Sequence, residues 1–318
     1  MTRFVLTVCL ALAAVPSFAA DRYAVVVTGA SGGDEYARKY DTLRTSFVST
    51  LKEKLGFDQE HLFVLADHES AGVSMATRVN VQRVLGDLRQ RLTKNDLLFV
   101  LLIGQGTSSN GDDAKFNLVG PDLTATEWND LLKPIQGRLV FVDTSGASFP
   151  FMQKLAAHGR VVLTATDSAA QQFETVFPEF FIKAFDDPSA DLDKNGRVSL
   201  WEAFSYASAG VRQWFDQHGQ LPTERPLLDD DGDGVGREAQ NPGPDGALAR
   251  TVYLDLDAAA GADGLALTAL QKAKADLERQ IEELKARKAS MAPDQYDAEL
   301  ERLLLELARV SQQIRTKS

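Results

Sequence analysis

Two acidic stretches carry oxygen donors at regular spacing. In DLDKNGRVSLWE, residues 191–202, Asp191, Asp193 and Asn195 fall at the first, third and fifth places, with Gly196 next. Arg197 offers its carbonyl at the seventh, Ser199 stands at the ninth and Glu202 at the twelfth. Alternate oxygens on such a loop converge on a hard cation, the glycine permits the sharp turn, and the final carboxylate can bind through both oxygens, as in the calcium loop of an EF-hand. The same residues also suit an Asx-rich turn capping the next helix, with Leu200 and Trp201 in the core. Pro188 stands where an incoming helix should run, so the expectation is one loop buttressing one helix, with calcium in a structural role. A second run, DDDGDGVGREAQ at 229–240, repeats the opening with Asp229, Asp231, Asp233 and Gly234 but has Gln240 in twelfth place. There, cation site and plain turn are equally matched.

A third constellation lies at the ends of two apolar runs. LLFVLLIGQGTSS passes without transition from aliphatic residues to Gln105, Thr107 and Ser108, and RLVFVDTSGAS ends in Asp143, Thr144 and Ser145. From Tyr23 to about Phe185 short apolar runs alternate with amphipathic helical patterns: a helix over 35–55, another over 76–92, a hairpin at KFNLVG, and a helix over 124–132. Continuous apolar strands between such helices predict a mostly parallel sheet of five or six strands covered on both faces, an α/β sandwich. In that architecture ligands meet the carboxyl ends of the strands, which is where Gln105 and Ser145 fall. TGASGG after the first strand lacks the spacing of a dinucleotide-binding loop.

These two strand ends resemble the catalytic signatures of the caspase and legumain superfamily of cysteine peptidases. There a strand ends in His-Gly and small residues, and the next core strand ends in an acidic or polar residue, a small residue and the catalytic Cys. The resemblance covers roughly residues 23–185, includes VVLTATDSAAQ after the fifth strand, and implies a caspase-like three-layer sandwich. It places Gln105 at the histidine position and Ser145 at the cysteine position. A glutamine amide has no usable pKa and cannot act as general base, and a serine hydroxyl without a base is a poor nucleophile. Of the four histidines only His68 follows a strand on the correct edge, and the family's strand order puts it two strand spacings, about 9–10 Å, from the site. The resemblance thus implies a pseudopeptidase that binds without cutting, its groove lined by Thr107, Ser108, Asp143 and Thr144. The alternative reading is an active hydrolase using Ser145, with Asp143 the nearest candidate base. A bland reading has Gln105 and Ser145 merely closing the loops.

Composition narrows the setting. A net charge of −11, without a basic cluster, speaks against nucleic acid as partner. Residues 1–20, MTRFVLTVCLALAAVPSFAA, have the layout of a secretory signal with Ser17 and Ala19 before the expected cleavage, and the sole cysteine, Cys9, lies inside it. The expectation is a secreted or periplasmic chain without a thiol, free of disulfides and of cysteine chemistry, and no later segment reads as transmembrane. The caspase-like domain is expected over 21–256, closed by a last strand at ARTVYLDL. Residues 257–264 read as a linker. Over 265–316 apolar residues recur at heptad steps (Leu277, Ile281, Leu284, then Tyr296, Leu300, Leu303, Leu307), broken at SMAPDQ, where Pro293 suits the start of a second helix. This predicts an antiparallel coiled-coil hairpin that packs on itself, docks on the sandwich or dimerises with a second copy. The expected partner is a protein or peptide.

Overall fold

A computed structural model describes residues 20–108, 113–255 and 291–317, together with 270, 273–274, 276–281, 284–285 and 287–288. The expected signal peptide and the linker lie outside the described residues.

The chain runs β1 (Arg22–Thr28), α1 (Asp34–Glu53), β2 (Leu62–Ala66), β3 (Val73–Met75), α2 (Arg78–Arg91) and β4 (Leu97–Ile103). The short strands β5 (Gly106–Thr107), β6 (Lys115–Phe116) and β7 (Leu123–Thr124) follow, then α3 (Ala125–Leu132), β8 (Arg138–Asp143), α4 (Phe149–Leu155), β9 (Arg160–Thr164), α5 (Phe177–Ala184), α6 (Leu200–His218) and β10 (Leu227–Asp229). A last helix, α7 (Pro293–Lys317), starts at the proline. The main sheet has seven strands in the order β10-β9-β8-β4-β1-β2-β3, all parallel except β10. β5, β6 and β7 form a separate antiparallel sheet. The sequence KFNLVG therefore supplies the middle strand of a small sheet and the turn beyond it.

Alternation along the buried strands assigns each face. Phe99, Leu101 and Ile103 of β4 point with Ala24 and Val26 into a cluster built by α1, α5 and α6, while Leu98, Val100 and Leu102 point with Val25 and Val27 toward α2, α3 and α4. Both faces are fully covered, as a parallel sheet requires. The largest buried side chains, among them Phe47 of α1, Trp128 of α3 and Phe204 of α6, anchor the helices to these faces. Burying one such side chain contributes about 2–3 kcal/mol, so the covering helices hold the strand ends firmly in register.

ARTVYLDL is not a strand. Ala249–Thr251 form a 3-10 turn, and only Tyr253 bridges, to Ser199. The alternation that suggested a strand is real, since Val252 and Leu254 are buried, but they pack into the α6 side of the core. The Asp230 carboxylate holds the turn by accepting from Gly246 N at 2.8 Å and Ala249 N at 2.7 Å. The edge strand is instead β10, antiparallel to β9. Leu277, Ile281 and Leu284 share an apolar cluster with Tyr296 and Leu303, so the hairpin segments pack on each other. Arg250–Glu278 and Lys274–Asp193 ion pairs, at 3.5 and 3.2 Å, tie the first segment to the sandwich.

Candidate functional site

β4 and β8 are adjacent and parallel, with Leu102 opposite Asp143. Their carboxyl ends therefore deliver Gln105 and Ser145 to one loop cluster. Ser145 has no exposed surface: its hydroxyl donates to Asp143 Oδ1 at 2.6 Å, and its backbone N–H donates to the same oxygen at 2.9 Å. The Gly146 carbonyl lies 3.2 Å from that hydroxyl as a weaker second acceptor. Asp143 and Thr144 are equally buried, the Thr144 hydroxyl donating to the Leu102 carbonyl at 2.7 Å. Burial pushes the Asp143 carboxyl up to about 7, against the two Ser145 hydrogen bonds that favour the ionised form. Its other oxygen, Oδ2, is buried without a hydrogen-bond partner.

The loops above this pair are packed backbone to backbone. A Cβ on Gly106 would overlap the Gly146 carbonyl and stand 2.7 Å from Ser145 Oγ, so only glycine permits β5 to lie directly on the serine turn. A Cβ on Gly146 would stand 2.7 Å from the Phe173 carbonyl. The segment after β9 is fastened over the turn: Ala147 N donates to the Gln171 carbonyl at 2.6 Å, the Gln172 amide to the Ser108 carbonyl at 2.7 Å, and the Thr175 hydroxyl to the Thr144 carbonyl. Thr107 is exposed and Ser108 half-buried at the rim. Thr107 donates to Asn117 Oδ1 at 3.1 Å.

Gln105 is half-buried and turns toward α1. Its side chain is the polar neighbour of the Tyr40 hydroxyl, which burial and then the Glu174 charge push well above the usual phenol range. Tyr40 Oη makes no well-formed hydrogen bond, so the Gln105 contact eases that burial only in part. No histidine joins the group: β1 separates β2 from β4, and His68 is occupied at 2.7 Å by Asp67 on an exposed loop. Of the segment 168–176 the sequence marked only residues 168–171, and Tyr40 not at all, because both reach the strand ends only through tertiary packing.

The stretch 191–202 folds as a tight loop into the N-terminus of α6. Asp191 accepts from Asn195 N at 3.1 Å and Gly196 N at 2.9 Å, Asp193 from Asn195 N at 3.2 Å, and Asn195 Oδ1 from Arg197 N at 2.8 Å. Gly196 has φ of 82°, where glycine alone is unstrained. Ser199 and Glu202 form a reciprocal capping box on α6, so the helix cap and the acidic loop share residues. Glu202 Oε1 also accepts from Leu192 N at 2.9 Å and Asp193 N at 3.2 Å, and burial raises its pKa. Carboxylate oxygens of Asp191, Asp193 and Glu202 lie within 4.8 Å of one another. Lys274 of the hairpin reaches the free side of Asp193, and a cavity of about 320 Å³ opens between this loop and the hairpin.

In the run 229–240 the oxygens of Asp229, Asp231 and Asp233 also converge within 4.8 Å. Asp229 accepts from Gly232 N at 2.9 Å and Gly234 N at 2.6 Å, and Asp233 from Val235 N at 2.6 Å. Gln240 is exposed.

Fold and sites together define an α/β protein with a mostly parallel seven-stranded sheet, a closed polar cluster at its carboxyl edge, and two acidic loops with hard-oxygen donor sets. No protein family and no curated protein matches the chain. A crystal structure of protein GSU0716 from Geobacter sulfurreducens is similar to it at 14% identity and a TM-score of 0.43, over 69% of this chain and 97% of that one. Among the described residues no helix is long and apolar enough to cross a membrane.

Proposed function

We propose that the chain is a secreted or periplasmic caspase/legumain-like pseudopeptidase that binds or scaffolds a protein or peptide partner, with calcium as a structural ion. The observation that carries this reading is the state of Ser145: its hydroxyl is bound to Asp143 beneath Gly106 and the 168–176 segment, with no exposed surface. A nucleophile must meet its substrate, and Gln105 at the adjacent strand end can neither take nor return a proton. The segment closing the turn presents Phe173, 71% exposed, an aromatic suited to anchor a partner on this edge. The donor sets fit calcium: alternating carboxylate and amide oxygens, a left-handed glycine and a carboxylate from the helix cap. Asp191, Asp193, Asn195, the Arg197 carbonyl and Glu202 would hold the ion, and its charge would offset the repulsion among the carboxylates. The hairpin supplies a second surface, through which two copies can pair.

One contact favours the runner-up, a hydrolase in which Asp143 serves Ser145 as base: the 2.6 Å hydrogen bond, with a carboxyl pushed to about 7. Burial of both groups opposes it. Incubating the full chain with a proteome-derived peptide library decides between them. No new peptide termini are expected, whereas cleavage abolished by Ser145→Ala would establish the hydrolase.

A further inference from the structure

The second acidic loop lacks a carboxylate at its twelfth place, and the fold supplies one from outside the loop. In the first loop the closing carboxylate, Glu202, is recognised by its position: one oxygen accepts from the backbone N–H groups of the loop's second and third residues, Leu192 and Asp193. In the second loop the equivalent N–H groups belong to Asp230 and Asp231. Both donate to a single oxygen of Asp245, at 3.0 and 3.4 Å. Asp245 thus makes with the backbone of the second loop the two contacts that Glu202 makes with the first.

The remaining oxygen of Asp245 points to a ligand. The residue is 3% exposed, and Oδ2 is buried without a hydrogen-bond partner. Arg237 Nε forms an ion pair with it at 3.9 Å, beyond hydrogen-bond reach, and is itself buried without a hydrogen-bond partner. The contacts of Oδ1 with Asp230 N and Asp231 N seat the Asp245 carboxylate against the opening of the acidic loop. Asp230 is already committed to Gly246 N and Ala249 N. A desolvated carboxylate oxygen that accepts no hydrogen bond is costly, and one long ion pair offsets that cost less than a directly bound cation would.

We propose that Asp245 closes a second cation site with Asp229, Asp231 and Asp233, taking an oxygen-ligated divalent cation of the calcium type. The inference rests on the calcium reading of the acidic loops and adds to it a ligand five residues beyond the loop's sequence motif.

Calcium titrated calorimetrically into the full chain tests it, with Asp245→Asn and Glu202→Gln compared under the same conditions. Two binding steps are expected in the wild type. D245N is expected to weaken one by tenfold or more and E202Q the other. Two unchanged steps in D245N overturn the proposal. A single wild-type step abolished by E202Q overturns it too while leaving the first loop a calcium site. A single step abolished by D245N and untouched by E202Q upholds it and removes the first loop. A wild type that binds no calcium contradicts both. Asparagine keeps the oxygen that accepts from Asp230 and Asp231; if circular dichroism nevertheless shows D245N unfolded, Asp233→Asn, at an exposed position, takes its place, and two unchanged steps there overturn the site.

Discussion

Asp143 ties the chemistry of the closed cluster to the stability of the protein. Burial raises its carboxyl to about 7 in the folded chain, while in the unfolded chain it titrates in the ordinary carboxylate range. A pKa raised by folding contributes stability below the unfolded value and loses it as pH rises through the folded one. The Asp143 contribution therefore declines between about pH 4 and pH 7, by on the order of 2–4 kcal/mol. Asp143→Asn is expected to unfold with less loss of stability than the wild type between pH 4.5 and pH 8. Urea denaturation at the two pH values measures this, and identical pH dependence in both proteins would show that Asp143 is ionised throughout. The position of Asp143, Ser145 and Gln105 at adjacent strand ends was legible in the sequence, because an abrupt change from aliphatic to small polar residues marks where a buried strand leaves the sheet. Their closure was not, because it depends on Gly106 and Gly146 meeting backbone from other loops, and a glycine's spatial neighbour leaves no local signal.

Elements followed their own periodicity closely and failed where the cause was remote. The expected helices at 35–55 and 76–92 are Asp34–Glu53 and Arg78–Arg91. The LLD of β10 is too short for any periodic signal and pairs only because β9 offers an open edge. Helix α5 shows the same dependence on distance. Its N-cap residue Val176 has no side chain to offer, and the cap comes from Glu224, whose two oxygens accept from Val176 N at 2.8 Å and Phe177 N at 3.1 Å. Burial pushes this carboxyl up to about 7 despite both bonds. Glu224→Ala leaves two buried donors without their acceptor and is expected to cost about 1–3 kcal/mol in chemical denaturation. A loss below about 0.5 kcal/mol would mean that water replaces the cap. The capping box of α6, by contrast, was readable, since Ser199 and Glu202 stand three residues apart ahead of an apolar stripe.

The whole molecule places its unusual chemistry on separate surfaces: a sealed carboxyl edge, two acidic loops, and a helical hairpin fastened beside the first loop by Lys274 and Glu278. The hairpin's heptad seam was legible because Leu277, Ile281, Leu284 and Leu303 recur at helical steps and are among the residues that pack together. Its docking was not, since partly exposed ion pairs of this kind contribute under about 1 kcal/mol each and follow no pattern along the chain. Asp245 was missed for a related reason: a ligand contributed from beyond a loop is invisible to a motif of fixed length. At this scale the central proposal is that the carboxyl edge of the sheet is chemically silent, because Ser145 is sealed and the carboxylate beside it, Asp143, is sealed with it. Intact-mass spectrometry of the full chain after incubation with a fluorophosphonate tests it most directly. An unmodified mass is predicted, and an adduct mapping to Ser145 and absent in Ser145→Ala would contradict the account.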